Sequence, residues 1–257
     1  MSRFFETLQS SLRIFLENPK FILPKLLISF LYSITILLTA SVAADVLADP
    51  ALSLLPMLLA LLLAVLAVGV LDIVVSAMYP FLVKDALARR KVSIFSSLKQ
   101  VASNAGKILP PLLILEAGVL AAIFILSIPL SILIVSESDY SLIFTGIYVL
   151  LILAAVFFFY TLYPLVAFEK LGALESFRRS IAISLKNKRD VAKATILSLL
   201  LSVLSLAIAF AIEYFPQDEG TALFWFAFII IRFLTAYVYT YMYVLNPVFY
   251  LNYAGKK

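Results

Sequence analysis

Long apolar runs alternate along the chain with short stretches that hold nearly all of its charge. The runs cover residues 26–44, 51–83, 108–135, 142–168, 194–212 and 221–253, and three of them carry a single ionisable residue: Asp72, Glu116 and Arg232. Crossing a bilayer takes roughly 20 predominantly apolar residues in helical form, so the pattern predicts six transmembrane helices. The second and sixth runs exceed that length and should tilt or project beyond the hydrocarbon.

The connections between runs are of two kinds. Residues 45–50, 136–140 and 213–220 are tight and hold seven acidic residues (Asp45, Asp49, Glu137, Asp139, Glu213, Asp218, Glu219) with no Lys or Arg. The N-terminal segment to Lys25, the connectors 84–107 and 169–193, and the C-terminus hold 19 of the 20 Lys and Arg. The positive-inside rule then places both termini and the two long connectors in the cytoplasm and the three hairpins outside. The first run ends in Ser41-Val42-Ala43-Ala44, which has the look of a small-residue cleavage site. Its amphipathic lead-in is not a short basic n-region, so it is read as a retained helix.

Composition narrows the class further. Apolar residues make up 64% and charged residues 14%, with a mean hydropathy of +1.09, against about 25% charged in soluble domains. An integral protein of the cell membrane is what remains. With no His and no Cys, imidazole bases, thiol nucleophiles and His or Cys metal sites are excluded. The seven glycines form no phosphate-binding loop. Neither a metal nor a cofactor is expected, and the net charge of +5 is a topological signal rather than a sign of nucleic-acid binding.

A longer period underlies these runs. Leu12, Asn18, Leu23 and Pro24 match Leu98, Asn104, Leu109 and Pro110 at an offset of 86, and Leu98 and Asn104 match Ile181 and Asn187 at 83. Pro80, Pro164 and Pro247, in Met-Tyr-Pro, Leu-Tyr-Pro and Leu-Asn-Pro, are spaced by 84 and 83. The chain reads as one transmembrane domain over 1–257 built from three units, 1–83, 84–168 and 169–257. Each unit is an interfacial amphipathic helix followed by a helical hairpin. An even number of spans per unit makes the three copies parallel, with a pseudo-threefold axis along the membrane normal. The amphipathic faces are Phe4, Phe5, Leu8, Leu12, Phe15 and Leu16; then Ile94, Phe95, Leu98, Val101 and Ala102; then Leu174, Phe177, Ile181 and Leu185. Beside them Arg89, Arg90, Lys91, Arg178 and Arg179 are placed to meet anionic headgroups.

The stretch Leu162-Tyr163-Pro164, then Glu169-Lys170-Leu171-Gly172-Ala173-Leu174-Glu175-Ser176-Phe177-Arg178-Arg179-Ser180, then Asn187, resembles a known linker. It is similar to that of the six-helix archaeal and bacterial proteins related to the membrane domain of glycerophosphoryl diester phosphodiesterases. The connector 84–107 fits the same style, so the resemblance spans essentially the whole chain. It implies a six-helix membrane fold. Some relatives carry a fused soluble phosphodiesterase; this sequence holds no span of that kind, and the resemblance transfers no catalytic residue.

Asp72, Glu116 and Arg232 are the ionisable residues well inside apolar runs, where a charge costs at least about 2.5 to 3.5 kcal/mol. At the helical rise, Asp72 lies about 12 Å from Pro80, Glu116 about 13 Å from Lys107 and Arg232 about 22 Å from Pro247. Adjacent carboxylates at matching depth would share a proton. Asp72 shares a helix face with Gly69, Ser76 and Tyr79, and Arg232 with Thr235, Tyr239 and Tyr243. Two polar stripes point to a lined path or cavity; the alternative is a structural ion pair, or Arg232 reaching outward to Glu213 or Glu219. The tyrosines of the sixth run (Tyr237, Tyr239, Tyr241, Tyr243, Tyr250, Tyr253) suit either a headgroup site or packing.

Two functions are consistent with this pattern. One is a non-enzymatic protein that binds amphiphiles or organises the membrane, with anionic lipids as partners at the repeated basic segments. The other is a transporter or channel for a small ion or solute that uses Asp72, Glu116 and Arg232. A pseudo-threefold monomer is free to stand alone or to assemble with further copies.

Overall fold

The computed structural model describes residues 3–48, 54–135, 141–210 and 222–254, and these are helical apart from short turns. In chain order the helices are α1 (Arg3–Glu17), a 3-10 turn (Pro19–Phe21), α2 (Ile22–Ala48), α3 (Leu54–Leu87), α4 (Ile94–Ser103), α5 (Ala105–Val135), α6 (Ser141–Phe159), α7 (Leu162–Glu169), α8 (Ala173–Lys186), α9 (Lys188–Phe210) and α10 (Ala222–Tyr253). Six segments are long and apolar enough to cross a membrane: Pro19–Thr39, Leu59–Leu87, Ala105–Ser127, Thr145–Glu169, Lys188–Phe210 and Ala222–Tyr253. The acidic hairpins at 136–140 and 213–220, and Asp49 with Pro50, lie outside the described residues.

The long helices pack as hairpins, α2 with α3, α5 with α6, and α9 with α10. At the centre α3, α10 and α7, the short helix that follows α6, all touch one another. Their prolines Pro80, Pro164 and Pro247 are buried there. Proline removes a helical N–H and clashes with the carbonyl four residues back. At Pro164 the break is complete, and the fourth apolar run, expected as one helix, divides at Tyr160 and Thr161 into α6 and α7. The freed carbonyls are capped from neighbouring helices: Asn246 Nδ2 donates to Tyr160 O, and Ser180 and Ser184 donate to Phe158 O at 3.0 and 3.3 Å.

The core sits at the end of the bundle that carries the short helices. Tyr79, Phe15, Phe21, Phe249, Met78, Leu82, Ile108, Leu112, Leu162 and Leu165 are each less than 2% exposed. Elsewhere the long helices bare large apolar side chains, among them Leu63, Phe124, Leu150, Leu200 and Phe226. A surface of that kind is stable against hydrocarbon and not against water, so the chain is a polytopic membrane protein.

The short helices have two unlike faces. Toward the bundle they turn hydroxyl residues: Thr7 and Ser11 on α1, Ser97 on α4, and Ser176, Ser180 and Ser184 on α8, all fully buried. Small side chains let helix axes approach closely. Away from it they bare Phe5, Leu12 and Leu16, Phe95 and Leu98, and Leu174 and Leu185. Each short helix ends at an asparagine whose Nδ2 donates to the carbonyl four residues back: Asn18 to Ile14 and Asn104 to Gln100, both at 2.8 Å, and Asn187 to Ile183 at 3.0 Å. The chain turns there into α2, α5 and α9. α1 is clasped to the end of α10: Arg3 donates to Asn252 O and lies over the Tyr253 ring, and Asn252 Nδ2 donates to Thr7 at 2.9 Å.

Candidate functional site

The charged centre of the bundle begins with a residue that the sequence pattern assigns to the cytoplasmic flank. Pro19 starts a 3-10 turn, α2 begins at Ile22, and Lys25 therefore falls within the first turn of a membrane-spanning helix rather than before it. Its side chain is 5% exposed. Lys25 Nζ lies 2.5 Å from Asp72 Oδ1 and 2.8 Å from Ser76 Oγ, both on α3, and 3.8 Å from the centre of the Tyr243 ring on α10. Carboxylate, hydroxyl and aromatic face together surround the ammonium group, the arrangement that keeps a charge tolerable in low dielectric. Below it the Tyr79 hydroxyl donates to Phe21 O at 2.8 Å and holds the turn that delivers Lys25.

Tyr243 is the shared wall of two cavities. One, of about 280 Å³, opens between α2, α3, α9 and α10 and is lined by Lys25, Tyr32, Asp72, Ser205, Arg232, Thr235, Tyr239 and Tyr243. The other, of about 290 Å³, lies between α5, α6, α7, α9 and α10 and is lined by Glu116, Val119, Ile152, Tyr163, Ser198, Met242, Tyr243 and Asn246. In the second cavity the Tyr163 hydroxyl donates to Glu116 Oε1 at 3.2 Å. The rings of Tyr79 and Tyr163 flank Tyr243 at 5.5 and 6.1 Å. Both volumes are near the lower edge of small-molecule sites, roughly 300 Å³.

The two polar stripes read from the sequence meet in the first cavity. Asp72 comes from one, and Arg232, Thr235, Tyr239 and Tyr243 from the other; Ser76 and Tyr79 hold Lys25 and its turn from beneath. Glu116 does not join them. The carboxylates line different cavities, each with its own donor, so the proton-sharing pair conditional on their adjacency does not form. Arg232 is half-buried with its guanidinium 5.2 Å from the Phe228 ring, and its Nε has no hydrogen-bond partner among the described residues. Glu213 and Glu219, its expected outward partners, lie outside the described residues.

Of the basic residues assigned to headgroups, Arg89, Arg90 and Lys91 form an exposed turn after α3, with Arg89 in the left-handed region at φ 54°. Arg178 is exposed on α8. Arg179 differs: its Nε pairs with Glu169 Oε2 at 2.5 Å, and Glu169 also accepts the Tyr250 hydroxyl. Tyr237, Tyr241 and Tyr253 of α10 pack against other rings: Phe15 lies against Tyr237 and Tyr241 at 4.6 and 6.0 Å, and Tyr253 stacks on Phe249 at 4.2 Å.

The residues that sequence reasoning missed are Lys25, Tyr163 and Ser205. Lys25 carried a readable signal, since Ile22, Leu23 and Pro24 precede it and Leu26, Leu27 and Ile28 follow. A lysine inside such a flank is a candidate counter-charge for an intramembrane acid. Tyr163 and Ser205 carried none. Comparison of the chain with family models, with curated proteins and with solved structures finds no match.

Proposed function

We propose that this polytopic membrane protein binds anionic amphiphiles through a collar of three short helices at the cytoplasmic interface, and that it is not an enzyme. The observation that carries the reading is the double character of α1, α4 and α8. Each bares large apolar side chains, with Phe5, Phe95 and Leu174 at 59, 77 and 64% exposure. The bare cations Arg89, Arg90, Lys91 and Arg178 stand beside α4 and on α8. Apolar groups entering the acyl boundary with cations at headgroup level are what an interfacial helix requires.

A threefold plan is part of the same reading. Ser11, Ser97 and Ser180, and Asn18, Asn104 and Asn187, recur at offsets of 86 and 83 in equivalent roles. Contacts are cyclic as well: α4 packs on α3, α8 on α6 and α7, and α1 on α10, each short helix on the hairpin of the preceding unit. On this plan the short helices share one membrane side, and the positive-inside rule makes that side cytoplasmic. The likeness of residues 162–187 to the phosphodiesterase-associated membrane domain belongs with this reading.

Mass spectrometry of gently extracted protein tests it. Each cation near an anionic leaflet contributes about 1 kcal/mol. Phosphatidylglycerol should therefore be enriched over phosphatidylcholine on the wild type, and the number of phosphatidylglycerol molecules bound should fall when Arg89, Arg90, Lys91 and Arg178 are changed to Gln. Equal lipid selectivity in both proteins overturns the proposal. A second reading, passage of a small ion or solute, is favoured by the two cavities meeting at Tyr243. Flux into proteoliposomes that survives both Asp72→Asn and Glu116→Gln unchanged rejects it.

A further inference from the structure

The cavity between α2, α3, α9 and α10 holds an unbalanced set of donors. Lys25 and Asp72 neutralise one another at 2.5 Å. That leaves Arg232 as the lining charge with no carboxylate beside it among the described residues. Among the described residues its Nε has no hydrogen-bond partner, and neither do the hydroxyls of Ser205 on α9 and Thr235 on α10, which line the same cavity. Ser205 is 1% and Thr235 6% exposed. Buried donors without acceptors are costly and rare in folded proteins, and here they come from two helices and converge on one space.

We propose that this cavity binds one singly charged oxyanion, a carboxylate or a phosphodiester. A cation would find its acceptor, Asp72, already held by Lys25. A neutral hydroxyl compound would leave Arg232 uncompensated. A dianion would replace one unbalanced charge by another in a low dielectric, where net charge is most costly. A monoanion brings the sum of Lys25, Asp72, Arg232 and ligand to zero, and its oxygens accept from the guanidinium and both hydroxyls. The source of the anion is either a phospholipid headgroup or a free solute. Leu206, which lines the cavity and is 56% exposed, marks a side open toward the hydrocarbon. This site is separate from the collar of short helices and does not depend on it.

The full chain in phosphatidylcholine nanodiscs supplies the test, with Arg89, Arg90, Lys91 and Arg178 changed to Gln so that collar lipids do not contribute. The probes are benzoate, inorganic sulfate and added phosphatidylglycerol, with binding read by calorimetry and native mass spectrometry. Benzoate binding indicates a solute site, and phosphatidylglycerol retention without benzoate binding indicates a lipid site. Either should weaken at least tenfold in Arg232→Gln and severalfold in Ser205→Ala, and sulfate should bind more weakly than benzoate. If Arg232→Gln does not fold, the pair Ser205→Ala and Thr235→Val carries the same expectation. Binding of neither monoanion, or binding indifferent to these substitutions, overturns the proposal.

Discussion

Removing the Asp72 charge should destabilise the bundle through Lys25. In Asp72→Asn the ammonium keeps Ser76 Oγ at 2.8 Å and the Tyr243 ring at 3.8 Å. It loses the carboxylate at 2.5 Å while remaining 5% exposed. Breaking a buried ion pair on one side costs about 3 to 5 kcal/mol. Because the Asp72 side chain is 27% exposed, the lower end, about 3 kcal/mol, is expected. Lys25→Met strands the carboxylate instead and should cost about 2.5 to 3.5 kcal/mol. The double variant contains neither charge and should recover most of the loss, since an uncharged replacement of a buried pair is often nearly neutral. Reversible unfolding in mixed micelles of increasing dodecyl sulfate content gives the four stabilities. A coupling energy of at least about 2 kcal/mol is expected; single-variant losses that add to within about 0.5 kcal/mol would refute the pairing.

Other expectations follow from the same contacts. Asn18→Ala, Asn104→Ala and Asn187→Ala each remove one side-chain bond to a helix-end carbonyl and should cost a similar ~0.5 to 1.5 kcal/mol; in the same unfolding assay, a loss at one site alone would count against the three junctions being equivalent. Tyr243→Phe retains the ring beneath Lys25 and loses only the hydroxyl's bond to Ser76, about 1 kcal/mol, whereas Tyr243→Leu also loses the cation–π contact, about 2 kcal/mol when desolvated, along with ring packing. With no native cysteine, single cysteines report sidedness cleanly. Those at Arg90 and Arg178 should react with impermeant maleimide only from the cytoplasmic side, and those at Glu137 and Asp218 only from outside; the reverse would overturn the orientation.

Six membrane helices were legible because a span needs a length of apolar sequence that few other structures tolerate, and each run supplied it. The stripes of Asp72 and of Arg232 were legible for a related reason: helical spacing fixes which residues share a face. What escaped was tertiary. Counting Lys25 with the cytoplasmic charges treats every basic residue at the edge of an apolar run as a flank. The turn at Pro19–Phe21 and the cover of α1 and α10 instead bring it inside. Tyr163 was visible only as the residue before a proline, and its hydroxyl acquires meaning once α5 places Glu116 against it. Ser205 is one of three serines along α9 until α10 closes the cavity. The break at Tyr160 and Thr161 shows the limit of a hydropathy pattern, because the apolar run continues through it while Pro164 and the caps from α8 and α10 interrupt the backbone.

The placement of the short helices is the claim on which the functional reading turns, and its most direct measure is immersion depth. Spin labels on cysteines substituted for Phe5, Phe95 and Leu174, one at a time in phosphatidylglycerol-containing bilayers, report depth from their relative exposure to oxygen and to a water-soluble nickel chelate. All three should lie about 5 to 10 Å inside the headgroup boundary on one side of the membrane. Labels freely open to the chelate, or at the depth of the bilayer centre, would contradict the account.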